Sequence, residues 1–375
     1  MPTIFARHAL LPDGWARDVA VEIAAGGAIA SVTLGAPDPG GPPRLLLPAP
    51  GNLHSHAFQR AMAGMTEHRG PAADSFWTWR ALMYRFLDAL SPDDIEAIAA
   101  LAFVEMQETG FAAVAEFHYL HHAPGGGAYA DPAELGVRIF AAAAETGIGL
   151  THLPVLYSYG GARAQPLAGG QLRFGCDLDR FARLRDATQA AARALPPDAR
   201  LGVAPHSLRA VTPESLAALV AAHPEGPVHI HAAEQPQEVA DVKAWLGARP
   251  VEWLLATAEV GPRWCLIHAT QMTPAETVAL ARSGAVAGLC PITEANLGDG
   301  IFDGPRYLAA GGAFGLGTDS NVRIGLADEL RQLEYSQRLR DRARNVMLTG
   351  PGSVGATLYA HACAGGAQAL ARPSG

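Results

Sequence analysis

Lysine is all but missing from this chain of 375 residues: 27 of its 28 basic residues are arginines and one, Lys243, is lysine. Schiff-base catalysis, a phosphate-cradling lysine or a lysine bridging two metal ions would each fall on that one residue. It lies in the polar run Glu234 to Trp245, which reads as a solvated helix. Cysteine is scarce too. Cys176, Cys265, Cys290 and Cys363 form no C-x-x-C pair, so neither a disulfide framework nor a thiolate zinc site is expected, and a reducing cytoplasm fits. Positive charge is in deficit, 36 acidic residues against 28 basic ones for a net charge of -8, and no local basic patch offers nucleic acid a surface. Long apolar runs are absent: the opening MPTIFARHALLPDGW lacks the pattern of a signal peptide, and later uncharged stretches are broken by Gly, Pro and His, so no membrane span is expected. What is plentiful is apolar material, 49% of residues with 17% charged, enough for one large core and too much for a disordered or fibrous chain.

Residues 1–48 hold short apolar alternations between turn signals such as Pro12-Asp-Gly14 and the Gly/Pro-rich stretch from Gly35 to Pro43. They read as a small β appendage, too few strands to stand alone. From Arg44 onward short apolar strands alternate with capped helices, the signature of parallel βα units. The strands expected are Leu45–Pro48 running into Asn52–His56, Phe111–Phe117, Gly149–Val155, Leu201–His206, Val228–Ala232, Trp264–His268, Val286–Cys290 and Phe314–Asp319. Helix starts are marked by Ser91, Asp131, Thr212 and Thr273, each followed by Pro, and stops by Gly110, Gly147 and Gly284. About eight units suggest an α/β fold, a (β/α)8 TIM-like barrel over residues 49–375 with a C-terminal helix. A doubly wound open sheet shares the local pattern. The long Gly-rich connection from Leu156 to Asp177 reads as a functional loop or lid.

Chemistry gathers at the strand ends. In Asn52-Leu-His54-Ser-His56 two histidines stand two apart on one strand, so both imidazoles face the same way and can share one ion. His231 ends the fifth strand with Glu234 three residues on, His268 ends the sixth and Asp319 the eighth. Barrel catalytic groups occupy these carboxyl ends, and packing alone explains such residues poorly. A set of His54, His56, His231 and Asp319 offers nitrogen and carboxylate donors without thiolate, which suits Zn2+ or Fe2+ with an open position for water. His229 competes with His231, and the latter is preferred because it is nearer the strand end. With no lysine in Leu201–His206, one ion per chain is expected rather than a lysine-bridged pair.

These strand-end residues resemble the amidohydrolase superfamily in its mononuclear deaminase branch. Longer motifs, Gly51–Gly64, Asp74–Tyr84, Ala115–His122, Cys290–Phe302 and Leu330–Asp341, are similar to the formimidoylglutamate deiminase family of histidine degradation. The resemblance implies hydrolytic, zinc-dependent deimination of N-formimidoyl-L-glutamate to N-formyl-L-glutamate and ammonia. It gives Asp319 the double role of metal ligand and proton acceptor, His268 that of orienting the nucleophile, and Glu234 that of proton shuttle. A nitrogen leaving group needs such an acid in any case. The resemblance further assigns Gln59, Arg80, Tyr119, His206 and Arg209 to a dicarboxylate substrate, for which guanidinium is the natural bidentate partner, and it implies a homodimer. The Arg331–Arg344 run reads as a solvated helix face. Alternatives are a guanine- or pterin-type deaminase, which would want a flat pocket without paired arginines, and a metal-binding barrel impaired in catalysis. Two departures stand out. The similar proteins continue past Ala367–Gly375 with strands that complete the appendage, which is expected to be incomplete here, and Asp319 is followed by Ser320-Asn321, whose roles the pattern does not assign.

Overall fold

The structure, a computed structural model, describes residues 1–70 and 73–372. The chain divides into two compact units, the first Met1–Ala49 and the second beginning at Pro50. In the first, β1 (Thr3–Leu11) and β2 (Gly14–Ile23) form an antiparallel hairpin across a turn whose exit, Gly14, needs φ 111°. β3 (Ile29–Thr33) and β4 (Leu45–Leu46) complete a sheet in the order β3-β2-β1-β4 around Ala9, Val19 and Val21. Leu45 and Leu46 therefore do not lead into the first barrel strand as expected; they pair in parallel with His8 and Ala9 of β1. Pro48 and Pro50 lack the N–H groups that would carry a ladder onward, and the strand restarts after them.

The second unit is built on parallel strands: β5 (Gly51–Ser55), β6 (Ala113–His118), β7 (Gly149–Leu156), a broken fourth made of β8 (Arg200–Leu201) and β9 (Ala204–Pro205), β10 (Val228–Ala232), β11 (Trp264–His268), β12 (Val286–Leu289) and β13 (Ala313–Leu316). Two ladders, β5 to β9 and β10 to β13, meet through bridges Val203↔Val228 and Ser55↔Asp319. The sheet is closed, which decides against the open doubly wound alternative. Leu53 points inward over Gly288 and Gly315, where an added Cβ would come within 2.9 Å and 2.6 Å of its methyl groups, so those glycines let the wall draw in.

Helices start where the sequence marks them at Ser91, Thr212 and Thr273, each with a reciprocal capping box. Asp131 is different. Its carboxylate accepts from the Ala133 amide (2.8 Å), capping a turn, and the helix begins only at Glu134. The run around Lys243 is helical (Pro236–Leu246) but not solvated throughout, because Glu238 is 1% exposed and serves the site described below. Nor is the connection after β7 a free lid: Arg173 is fully buried, and its guanidinium donates to the carbonyls of His122, Leu87 and Leu90. All four cysteines are buried, and none is joined in a disulfide among the described residues. No helix among the described residues is long and apolar enough to cross a membrane.

The C-terminal helix Val354–Ala369 closes one end of the barrel. Thr151 donates to the Leu370 carbonyl (2.8 Å), His229 Nε2 lies 2.8 Å from the Ala369 carbonyl, and Gly365 and Gly366 lie against Phe314 and Gly51. These contacts lie toward the amino ends of their strands, and the carboxyl ends form the mouth opposite.

Candidate active site

At that mouth His54, His56, His231 and Asp319 offer four ligand atoms that all lie within 4.8 Å of one another. Their backbone positions are set by the closure of β5 on the segment after β13: Thr318 and Asp319 donate to the His54 carbonyl and His56 donates to the Asp319 carbonyl, each at 3.0 Å. Side chains brace the same seam. The Asn52 amide donates to Thr318 Oγ1 (2.7 Å), and Asn321 donates to Ser55 Oγ (3.1 Å) and the His56 carbonyl (3.2 Å). Ala233, His268, Ala269, Asp319 and Asn321 all have φ between 45° and 67°, so left-handed residues cluster where the strands turn out.

The ring orientations test whether a metal ion fits. His56 Nδ1 lies 3.0 Å from the Phe117 carbonyl and His231 Nδ1 lies 3.1 Å from the His206 carbonyl. A carbonyl only accepts, so each Nδ1 carries the hydrogen and each Nε2 presents a lone pair. Those lone pairs turn into the cluster: His231 Nε2 is 3.1 Å from His54 Nε2, and Asp319 Oδ1 is 3.3 Å from the Nε2 atoms of both His54 and His56. His56 Nε2 and Asp319 Oδ1 are thus two acceptors facing each other in a buried site, an arrangement that a cation between them would satisfy. The separations match the roughly 3.3–3.4 Å edge of a tetrahedron whose donors sit at zinc-like distances. Burial favours neutral rings, holding His54 down to about 3 and His56 and His231 below the usual histidine range. Burial works against the Asp319 carboxylate, but the hydrogen bond with His54 and the attraction of the surrounding imidazoles of His54, His56 and His268 outweigh it and hold Asp319 below the ordinary range. His229, the rival within the second H-x-H, points instead to the C-terminal helix.

Beside this cluster His268 Nε2 lies 3.9 Å from both Glu234 Oε1 and Asp319 Oδ2. Burial pushes the Glu234 carboxyl up to about 7, opposed by His268 and helped by Asp319, which leaves it able to hold or release a proton near neutrality. Burial resists charge on His268, and the carboxylates of Glu234, Glu294 and Asp319 prevail, raising it to about 10. Glu234 is positioned by its backbone. Glu238 accepts from the amides of Ala233 (3.1 Å) and Glu234 (3.0 Å), fixing the turn after β10.

His56, Gln59, Arg80, Tyr119, His206, Arg209, His231, Glu234, His268 and Asp319 line one pocket, and His54 lies buried beside its floor. The structure thus brings all the residues singled out from sequence together. Gln59 donates to the Tyr119 hydroxyl (2.7 Å), Arg80 donates to the Tyr157 hydroxyl (3.0 Å) and lies over the Trp77 and Tyr84 rings, and His206 Nδ1 meets Ser207 Oγ at 3.1 Å. Among the described residues neither Arg80 nor Arg209 forms an ion pair with a carboxylate within 4.0 Å, although Arg209 is near enough to draw the Glu234 carboxyl down, and Arg209 Nε and Gln59 Oε1 are buried without a hydrogen bond. Sequence reasoning missed Glu238, Glu294, Tyr157, Asn52 and Thr318. Glu294 stood inside the quoted Cys290–Phe302 motif, and Glu238 lies one helical turn after Glu234. Asn321, left without a role, is a brace of the seam.

Barrel closure and a His/His/His/Asp cluster at its mouth define a metal-dependent hydrolase, and comparison agrees. Residues 45–374 match the model described as "Amidohydrolase family", to which the chain belongs. Residues 1–43 match "Formimidoylglutamate deiminase HutF, N-terminal domain". The chain is 54% identical to a formimidoylglutamate deiminase of Pseudomonas aeruginosa, over 100% of its own length and 83% of that protein's. The crystal structure of an amidohydrolase from Brucella melitensis superposes with a TM-score of 0.96 at 52% identity, covering 100% of this chain and 83% of that one. A zinc-bound adenosine deaminase from Xanthomonas campestris, 21% identical with a TM-score of 0.76 over 98% and 80% of the two chains, shares the fold.

Proposed function

We propose that this chain is a formimidoylglutamate deiminase, hydrolysing N-formimidoyl-L-glutamate to N-formyl-L-glutamate and ammonia in histidine degradation. The observation that carries this reading is the pair of guanidiniums, Arg80 and Arg209, that line the pocket of Glu234, His268 and Asp319 without a carboxylate partner among the described residues. A substrate with two carboxylates and one hydrolysable C–N bond meets that demand. The similarity to the Pseudomonas deiminase supports the same substrate. Unpaired arginines weigh against a guanine- or pterin-type deaminase, whose ligand brings no carboxylate pair.

His54, His56, His231 and Asp319 would hold one divalent ion, zinc on the chemistry of three imidazoles and a carboxylate, with Fe2+ as the alternative. When bound, such an ion supplies Lewis acidity that makes water a nucleophile near neutral pH. Asp319 accepts the proton of the attacking water, and His268, aimed through Nε2, orients that water and stabilises the oxyanion. Attack opens the C=N bond of the formimidoyl group to a tetrahedral carbon. Glu234 gives its proton to the imino nitrogen, making it an amine. The proton taken by Asp319 then passes through Glu234 to that amine, the C–N bond breaks and ammonia leaves. The hydroxyl gives up its remaining proton to Asp319 as the formyl C=O forms, a proton that returns to Glu234 for the next turnover. Arg80, Arg209, His206, Tyr119 and Gln59 hold the glutamyl moiety in register. Residues 49–375 constitute the hydrolase and residues 1–48 an accessory β unit; the enzyme works in the cytoplasm as a homodimer.

The test is product analysis of the metal-loaded enzyme with N-formimidoyl-L-glutamate. Ammonia and N-formylglutamate in equal amounts are expected. Formamide and glutamate would remove Glu234 from its role, and turnover of neither kind would overturn the assignment.

A further inference from the structure

His268 leaves its strand in a left-handed conformation, φ 67°, and Ala269 follows at φ 49°. Its direction is therefore not inherited from the pleat of β11, and a second anchor must aim the ring. The anchor available is Glu294, in the helix Pro291–Leu297 that follows β12. Its Oε1 lies 3.3 Å from His268 Nδ1 and accepts the Cys290 amide at 3.0 Å. The residue is 4% exposed, and its backbone is fixed at both ends, donating to the Cys290 carbonyl (2.9 Å) and accepting from the Asp299 amide (2.9 Å). A carboxylate only accepts, so Nδ1 carries the hydrogen and Nε2 is left to face Glu234 and Asp319.

We infer that Glu294 is a positioning residue: by accepting from His268 Nδ1 it holds the ring rotation that presents Nε2 to the reacting centre. The inference rests on the deiminase reading only for its kinetic arm. His268, Cys290 and Glu294 also place three potential ligand atoms within 4.8 Å of one another. Glu294 Oε1 already accepts the Cys290 amide, and the His268 Nδ1 that faces it carries a hydrogen and has no lone pair to offer a metal, so the trio reads as an orienting contact rather than a second metal site.

The experiment combines kinetics with histidine 15N NMR on E294A, E294Q, H268A and the E294A/H268A double variant of the metal-loaded protein. E294A is expected to lower kcat by about 10- to 100-fold, as loss of an outer hydrogen-bond partner does, with KM and metal content unchanged. E294Q, whose amide oxygen still accepts, recovers most of that rate. The double variant is no slower than H268A, because Glu294 has no other route to the reaction. In the spectrum the resonances absent from H268A show a hydrogen-bonded Nδ1–H in the parent and lose that signature in E294A. An unchanged 15N pattern in E294A overturns the inference whatever the substrate proves to be. So does a further loss of rate in the double variant, or E294A turning over at the parent rate. If the parent shows no deiminase activity, the deiminase reading fails, and the NMR arm still decides the role of Glu294.

Discussion

The two sides of the pocket differ in how their polar atoms are spent. On the metal side, His56 and His231 have each Nδ1 tied to a backbone carbonyl, Glu234 sits on a turn fixed by Glu238, and Asn52, Thr318 and Asn321 lock the seam beneath. On the substrate side, Arg209 Nε and Gln59 Oε1 have no partner, and Arg80 relies on one phenol and two ring faces. A reacting centre gains from donors that need not reorganise. A binding wall gains by holding its hydrogen bonds in reserve for the ligand, since an unsatisfied buried donor costs about 1–3 kcal/mol until the ligand arrives.

That contrast should appear as a split between kcat and KM. The largest effect is expected from Glu234→Gln, which keeps shape and removes the proton carrier. Its kcat should fall by about 10²- to 10⁴-fold while KM and bound metal stay as in the parent. A KM that rises as steeply as kcat falls would place Glu234 on the binding side. Arg209→Ala and Arg80→Ala should do the reverse, each losing a charge-assisted contact and reducing kcat/KM by about 10- to 150-fold, carried mainly by KM. Measuring both constants for both variants shows whether the wall binds without shaping the chemical step.

Stability offers another way to press the comparison, at the floor where β5 meets β6. Glu116 is 1% exposed, accepts from the Ala57 amide (2.8 Å) and keeps one oxygen unpartnered. Burial pushes its carboxyl up to about 8, against the pull of the hydrogen bonds from Ala57 and Ser55. The folded protein therefore holds this proton after the unfolded chain has lost it. Between the ordinary glutamate range near pH 4.5 and about pH 8 the native state binds more protons, so stability should fall with rising pH, by roughly 1.4 kcal/mol per pH unit at most, and level off above. Glu116→Gln cannot titrate. Relative to the parent it should gain stability from pH 5 to pH 8 in urea titrations, and parallel curves would show that the carboxyl is already ionised in the folded state.

Much of this was legible in sequence because barrel chemistry is written at strand ends. His54, His56, His231, Glu234, His268 and Asp319 each close a short apolar run, and the period-two spacing of His54 and His56 carries over directly into a shared face. Closure was not legible, since it depends on the bridges that pair Ser55 with Asp319 and Val203 with Val228, positions too far apart in the chain for any local pattern to join. The supporting residues were hidden for a related reason. Glu238 and Glu294 look like ordinary helix-surface acids until tertiary packing buries them, and Leu45–Leu46 looks like any other apolar pair until prolines cut it from the strand that follows.

The smallest effect belongs to the phenol that steadies Arg80. Tyr157 is nearly buried, sits on the connection after β7 and accepts from Arg80 Nη2 at 3.0 Å, while the Trp77 and Tyr84 rings lie under the same guanidinium at 5.7 Å and 5.3 Å. Tyr157→Phe removes one of these three constraints and leaves the cation in place. The arginine then samples more directions before it meets a carboxylate, which is a cost to binding rather than to the chemical step. About 1 kcal/mol, or roughly five-fold in KM, is expected, with kcat and thermal midpoint unchanged. A fall in kcat instead would mean that Arg80 must be aimed for the chemistry as well as for capture. The division between a finished catalytic floor and a wall completed by its ligand would then end at Arg80.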